Sequence, residues 1–270
     1  MTEALGIAVA NRERLETLHR RLRGPFSVAE AAAVWALDAR RARRLVAYLA
    51  ARGWLSRVRR DCYTTVQLGA TSPKQWREDP WVVAAKTFAP CYLGGWTACE
   101  HWGLTEQIFS EVVVITSRKA RHRLVEIQGT RFRVKVVSEK RMFGLRDVWR
   151  AQNRVKVSDP ARTVVDLLDN PPLGGGMRHV AEVLRNYFEG TSRNDKDLAS
   201  HALAFGSGAV FKRLGYLLET LGINAPELAE LCTSKISAGI NLLDPGAKPA
   251  GVIVSRWGLR LNVHLVPGAP

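Results

Sequence analysis

The chain has 270 residues, 46% of them hydrophobic, and carries 40 lysines and arginines against 25 aspartates and glutamates, for a net charge of +15. That length accommodates a small N-terminal module and one larger domain, and the charge points to a polyanionic partner. No run approaches the roughly 18 apolar residues of a membrane span, and the first residues lack a basic-then-apolar signal pattern. The four cysteines, Cys62, Cys91, Cys99 and Cys232, show no CxxC pair and no ligand-like spacing to histidine. Zinc and a disulfide framework are therefore not expected, and free thiols in a cytoplasmic protein are. The charge falls in two places: residues 1–70 hold 13 basic and 6 acidic residues, and residues 111–160 hold 13 basic and 5 acidic.

The predicted elements begin with a helix over Arg12–Leu22, with Leu15, Leu18 and Leu22 on one stripe and Gly24-Pro25 as its stop. Ser27-Val-Ala-Glu30 is a capping box. It opens a short helix in which Val28, Ala31, Ala32 and Trp35 share a face. Asp38 is placed to cap a third helix. There Ala42, Leu45, Val46 and Leu49 fall in one sector at about 100° per residue, and Arg40, Arg41, Arg43 and Arg44 fall in the other. Beyond Gly53, Trp54–Val58 and Cys62–Val66 read as two strands, with Arg59, Arg60 and Asp61 at their turn.

Two short helices, an arginine-faced third and a basic hairpin make the order of a winged helix-turn-helix. Arginine suits such a helix because its planar fork bonds guanine O6 and N7, or a phosphate, with two hydrogen bonds. The basic tip of the hairpin would reach a phosphate or a minor groove. The competing reading, a solvated charged face, fits a single run of charges. It fits less well a run that coincides with three ordered elements and a basic hairpin.

Residues 67–80 are polar and contain proline; 71–80 is taken as the linker between a module at 1–70 and a domain at 81–270. Trp81–Ala89 is predicted helical, and Gly94–Leu104 a loop and a short helix ending at Gly103. Glu111–Thr116 is a buried strand by its β-branched run. Leu124–Gln128 and Thr130–Val137 form a hairpin around Gly129. In its second strand period two places Arg131, Arg133 and Lys135 on one face, away from Phe132, Val134 and Val136. Val155–Val157 is short and apolar. Asp159 caps the next helix, Pro160 takes its first position, and Arg162 with Asp166 makes an i, i+4 pair. Pro171–Gly176 reads as a flexible break. Helices follow over Met177–Glu189, Asp195–Phe205, Gly208–Leu221 and Ala225–Ser237, and Gly251–Ser255 and Leu259–Leu265 close the chain as strands around Trp257-Gly258.

The chain resembles the AbiEi family of antitoxins. The residues that carry the resemblance are the N-terminal module, GGWTACEHWGLTEQ (Gly94–Gln107), VSDPARTVVDLLD (Val157–Asp169), FKRLGYLLETLG (Phe211–Gly222) and a closing strand pair around Trp257 and Asn262. The resemblance implies an α+β protein: an N-terminal winged helix-turn-helix, then a larger mixed α/β antitoxin domain. It implies binding to inverted repeats in the promoter of the protein's own operon and repression of transcription. It also implies opposition to a nucleotidyltransferase toxin encoded next door, with direct contact left open. Carried onto this sequence, DNA binding falls on Arg40, Arg41, Arg43 and Arg44 and on Arg57, Arg59 and Arg60. No catalytic motif is carried over, and no cofactor is implied.

The residues offer little to an enzyme. Glu100 and His101 are adjacent on a predicted helix and point about 100° apart, so they do not converge on one atom. Asp195-Lys-Asp197 has the look of paired nucleotidyltransferase carboxylates, but Gly190-Thr191 is too close and Gly206-Ser207 comes afterwards, so helix capping is preferred. A nuclease needs Asp and Glu-x-Lys on neighbouring strands; Glu111 and Glu126 lie in predicted strands without the lysine at that offset. The second basic region, with Arg118, Lys119, Arg121, Arg123, Arg131, Arg133 and Lys135, has three readings. It extends the DNA contact, binds the toxin or its nucleic-acid substrate, or is a solvated face. The expectation is a cytoplasmic, non-enzymatic antitoxin and autorepressor that occupies two half-sites as a dimer on double-stranded DNA. A stand-alone transcription factor of the same fold is the alternative, and a DNA-processing nuclease a more distant one.

Overall fold

A computed structural model describes residues 7–66 and 76–265. The N-terminal unit contains α1 (Val9–Arg21), β1 (Phe26–Ser27), α2 (Val28–Trp35), α3 (Ala39–Ala51), β2 (Leu55–Arg59) and β3 (Cys62–Thr65). The expected capping box is present: Glu30 N donates to Ser27 Oγ at 3.2 Å, and Ser27 N donates to Glu30 Oε2 at 2.8 Å. Leu18, Phe26, Val28, Ala31, Ala42, Val46, Leu49 and Leu55 bury together as the core of this unit. The strands are antiparallel in the order β1-β3-β2. Strand β1 has only two residues, too few to show a period, so the sequence could not announce it. Arg59 belongs to β2 and pairs with Cys62, which leaves Arg60 and the left-handed Asp61 as the turn.

The second unit is built on a six-stranded mixed sheet in the order β6-β7-β5-β4-β9-β8. It opens with α4 (Pro80–Phe88), β4 (Cys91–Leu93) and α5 (Gly95–His101). The strands β5 (Glu111–Thr116), β6 (Leu124–Ile127), β7 (Thr130–Val136), β8 (Leu145–Arg150) and β9 (Asn153–Ser158) follow. The β6–β7 turn has positive φ at both Gln128 and Gly129, the conformation a two-residue hairpin needs to match strand twist. Strands β4 and β8 were not anticipated. β4 is only three residues long, and β8 carries three charged residues among its six.

Helices α6 (Pro160–Asp169), α7 (Met177–Glu189), α8 (Asp195–Phe205), α9 (Gly208–Thr220) and α10 (Pro226–Ser234) share one large apolar core. A small sheet of β10 (Asn241–Leu242), β12 (Leu259–Leu261) and β11 (Val252–Val254) closes the chain. Pro171–Gly174, expected within a flexible break, instead forms a 3-10 turn with Pro171, Leu173 and Gly174 buried. Apolar packing of Leu173 against Tyr92 and Trp96 supplies what local composition did not indicate.

The two faces of the six-stranded sheet are covered differently. Leu93, Val114, Phe132, Val134, Val155 and Val157 face α4 and the β2–β3 hairpin, whose Val58 and Cys62 join that core. Tyr92, Val113 and Ile115 face the other way, against Trp96 and Leu173. The N-terminal unit is thus seated on the sheet through one face of its own hairpin. Two hairpin ends of the sheet hold it. Gln128 Nε2 donates to Ser56 Oγ at 3.1 Å, and Gln128 Oε1 accepts from Glu78 N. Asn153 approaches Gly24 so closely that a Cβ there would stand 3.0 Å from its Oδ1. Glu30, already committed to the capping box, also pairs with Lys86 of α4. Of the stretch expected as a linker, residues 71–75 lie outside the described residues; Glu78 accepts from Thr64 and Asp79 caps α4.

Candidate nucleic-acid interface

Helix α3 has the two-sided character read from its spacing. Asp38 Oδ1 accepts from Arg41 N at 2.8 Å and fixes the start of the helix. Ala42, Val46 and Leu49 are buried and Leu45 is half-buried, while Arg40, Arg41, Arg43 and Arg44 are exposed. The small side chains on the inner face let α3 lie close on α2, which leaves the arginines as the outermost layer. Arg41 forms an exposed pair with Asp38 at 3.2 Å. Arg40, Arg43 and Arg44 form no ion pair among the described residues. Strand β2 and its turn add Arg57, Arg59 and Arg60, all exposed. A bulge between Arg57 and Arg59 changes the register there. Leu55 packs into the N-terminal core while Val58, three positions on and so on the other face of the strand, packs onto the second unit.

The second basic region is organised otherwise. Arg118, Lys119, Arg121 and Arg123 are exposed in the loop before β6. Arg131, Arg133 and Lys135 do share one face of β7, but they are engaged. Glu111, their neighbour on β5, takes Arg133 at 2.8 Å and Arg131 at 3.7 Å, and Asp169 takes Lys135 at 2.8 Å. Their face is that of Tyr92, Val113 and Ile115, opposite the one that receives the N-terminal hairpin. The structure therefore brings the α3 and hairpin arginines together and sets the β7 cations apart from them.

The residues weighed for catalysis sit in structural roles. Glu100 is exposed, and His101 packs its ring edge-on to Trp81 and Trp102, at 5.2 and 4.5 Å between centroids. Burial and the charge of Arg150 lower the pKa of His101. Asp195 and Asp197 occupy the first turn of α8, where Asn194 is the cap and accepts from Asp197 N at 3.0 Å. Burial pushes the thiols of Cys91 and Cys232 up to about 12, which removes thiolate character. Among the described residues no group of three or more His, Cys, Asp or Glu is placed to hold a metal. No described helix is long and apolar enough to cross a membrane.

The stretches Gly94–Gln107, Val157–Asp169 and Phe211–Gly222 each contribute a largely buried segment: 94–99, 157–168 and 211–218. Gly94 and Gly95 carry the chain from β4 into α5 at a point with no room for a side chain. A Cβ at Gly95, where φ is +57°, would meet Leu173 O at 2.5 Å. In α6, Arg162 and Asp166 form the expected i, i+4 pair, 3.1 Å apart, and it is buried, at 0% and 2% exposed. Tyr92 OH donates to Asp166, and Arg162 bonds the carbonyls of Arg141 and Phe143. Burial works against the charge of Arg162, but Asp166 and Tyr92 outweigh it and raise its pKa. In α9, Lys212 and Arg213 are buried on backbone carbonyls of Gly239, Leu168 and Leu242. A Cβ on Gly215 would fall 2.0 Å from the ring of Trp257. Sequence spacing marked Arg162–Asp166 as a pair but gave no sign that it was buried.

This architecture is not unique to the chain. It superimposes on the crystal structure of the RV2827C protein from Mycobacterium tuberculosis with a TM-score of 0.65, over 95% of this chain and 92% of that one, at 14% sequence identity. At that identity the likeness is one of fold. No curated protein matches the sequence. Residues 89–220, from the end of α4 to the end of α9, match the model of the AbiEi antitoxin C-terminal domain. This match to an antitoxin domain over the middle of the chain supports an AbiEi-family antitoxin.

Proposed function

We propose that this antitoxin also represses its own operon, binding operator DNA with a winged helix-turn-helix at its N-terminus and opposing a nucleotidyltransferase toxin with its second domain. The units are those expected from the sequence, 1–70 and 81–270 joined by 71–80. The observation that carries the reading is the outer face of α3, where Arg40, Arg43 and Arg44 are exposed and free of ion pairs among the described residues. Cations not already matched by carboxylates are available to phosphates and base edges. Arg57, Arg59 and Arg60 supply the second contact at the hairpin, and two protomers occupy the two halves of an inverted repeat.

Fluorescence anisotropy on the DNA upstream of the gene tests this, with scrambled DNA as control and a salt series. Tight binding at least about 10³-fold above scrambled DNA is expected. The logarithm of affinity should fall linearly with the logarithm of salt, by about 0.9 per phosphate contact. Arg40→Ala/Arg44→Ala should abolish the preference. Equal, weak binding to both DNAs would refute an operator-reading repressor.

A further inference from the structure

Helix α3 presents two more groups on its outer face, beyond the four arginines of its first two turns. Tyr48 is 42% exposed, and its hydroxyl has no hydrogen-bond partner among the described residues. At about 100° per residue it falls between Arg44 and Arg41 around the helix, with Arg52 just beyond. Arg52 is exposed, and its guanidinium lies 5.2 Å from the centroid of the Tyr48 ring. Among the described residues Arg52 has no ion pair. The helix contains no acidic residue, and Asp38, which caps its opposite end, pairs with Arg41. The neighbours of the pair on the same face are Ala47 and Ala51, both exposed. Their methyl groups are too short to stand between the pair and a ligand.

We propose that Tyr48 and Arg52 form a phosphate clamp. The Tyr48 hydroxyl and the Arg52 guanidinium donate to the DNA backbone at the edge of the major groove, and so fix the register in which Arg40 and Arg44 meet base edges. The inference rests on the reading of α3 as the operator-binding helix and adds what positions it. Two points favour the backbone over a base. From Arg40 to Tyr48 the helix rises by about 12 Å. The major groove is about 12 Å wide, so a helix whose first two turns meet base edges brings its third to the phosphate wall. A hydroxyl and a cation side by side also suit phosphate oxygens, which only accept. The stack holds the guanidinium beside the hydroxyl before DNA arrives, so less side-chain freedom is lost on binding. Spacing alone did not mark Tyr48, since a tyrosine in a helix serves a core margin equally well; its exposure and the stacked Arg52 mark it.

The test uses the full chain, with anisotropy on operator and scrambled DNA over a salt series and with thermal unfolding alongside. Arg52→Ala should weaken binding to both DNAs alike, by about tenfold, the worth of one charge-assisted hydrogen bond. It should also lower the salt slope by about 0.9, one phosphate contact. Tyr48→Phe keeps the ring under Arg52 and should weaken both by about fivefold with the slope unchanged. The ratio of operator to scrambled affinity and the unfolding midpoint should stay near wild type. A cation at a helix C-terminus also suits the helix dipole; if that were Arg52's whole role, its loss would lower the midpoint and leave the salt slope alone, which would overturn the clamp. Unchanged DNA binding in both variants would overturn it too, and so would a collapsed operator preference, which would assign the pair to base reading. A wild type without operator preference would instead refute the operator-binding reading of α3 on which the clamp rests.

Discussion

Helices α3 and α6 both begin with an aspartate cap and both carry arginine in their first two turns, yet they use it in opposite ways. In α3 the arginines lie outside an alanine- and valine-faced helix, and only Arg41 has a carboxylate, an exposed one. In α6 the whole helix from Pro160 to Leu168 is buried, and Arg162 has been turned inward onto Asp166, Tyr92 and two carbonyls. The local sequences do not differ enough to separate these outcomes. What separates them is what lies around each helix: α3 has packing partners on one side only, whereas α6 lies between the sheet and the helical core. Exposed arginine is then free for a partner, and buried arginine serves the fold.

The contrast is tested most severely at Arg162. Arg162→Leu leaves Asp166 as an uncompensated buried charge and should cost about 3–5 kcal/mol, read from urea unfolding. The paired change Arg162→Met/Asp166→Leu should recover most of that loss, because two apolar groups leave no charge stranded. A cost near zero for Arg162→Leu would mean that the pair is not what holds α6. A smaller effect is expected at the cap of α6. Burial raises the pKa of Asp159, but its hydrogen bonds from His201 and from the amide of Arg162 outweigh this, so the net pKa lies below 3.8. A carboxyl depressed in the folded state contributes stability that is complete above the unfolded value and is lost as pH falls through the folded one. His201→Ala should therefore flatten the decline in stability below about pH 4. The same decline in both proteins would remove His201 from the account. The smallest effect belongs to α3: Arg43→Ala/Arg44→Ala should change stability by no more than about 0.5 kcal/mol. A large loss there would mean that these arginines support the fold and would undercut their assignment to DNA.

Much of this was legible in the sequence wherever the signal was local. The Ser27–Glu30 box, the Asp38 and Asp159 caps, the apolar sector of α3, strand β5 and the turn at Gly129 all depend on residues a few positions apart, which interact whatever the rest of the chain does. Helices α7 and α8 match their expected bounds for the same reason. Short strands were not legible. β1, β4 and β10 have two or three residues each, and their hydrogen-bond partners lie well removed in sequence. The cations of β7 were assigned correctly to one face, but nothing nearby in sequence showed that Glu111 and Asp169 would meet them.

The amino-acid order by itself determined that the N-terminal arginines stand on one face of a capped helix, because helical periodicity and the Asp38 cap are properties of that segment alone. It also determined the internal motifs by which the AbiEi antitoxin domain is recognised. Only the tertiary structure decided which charged groups are available to a partner. Burial and ion pairing depend on contacts between distant segments: Arg162 was drawn into the core and Arg131 and Arg133 were tied to Glu111, while the outer face of α3, with nothing packed over it, was left to water or to a ligand.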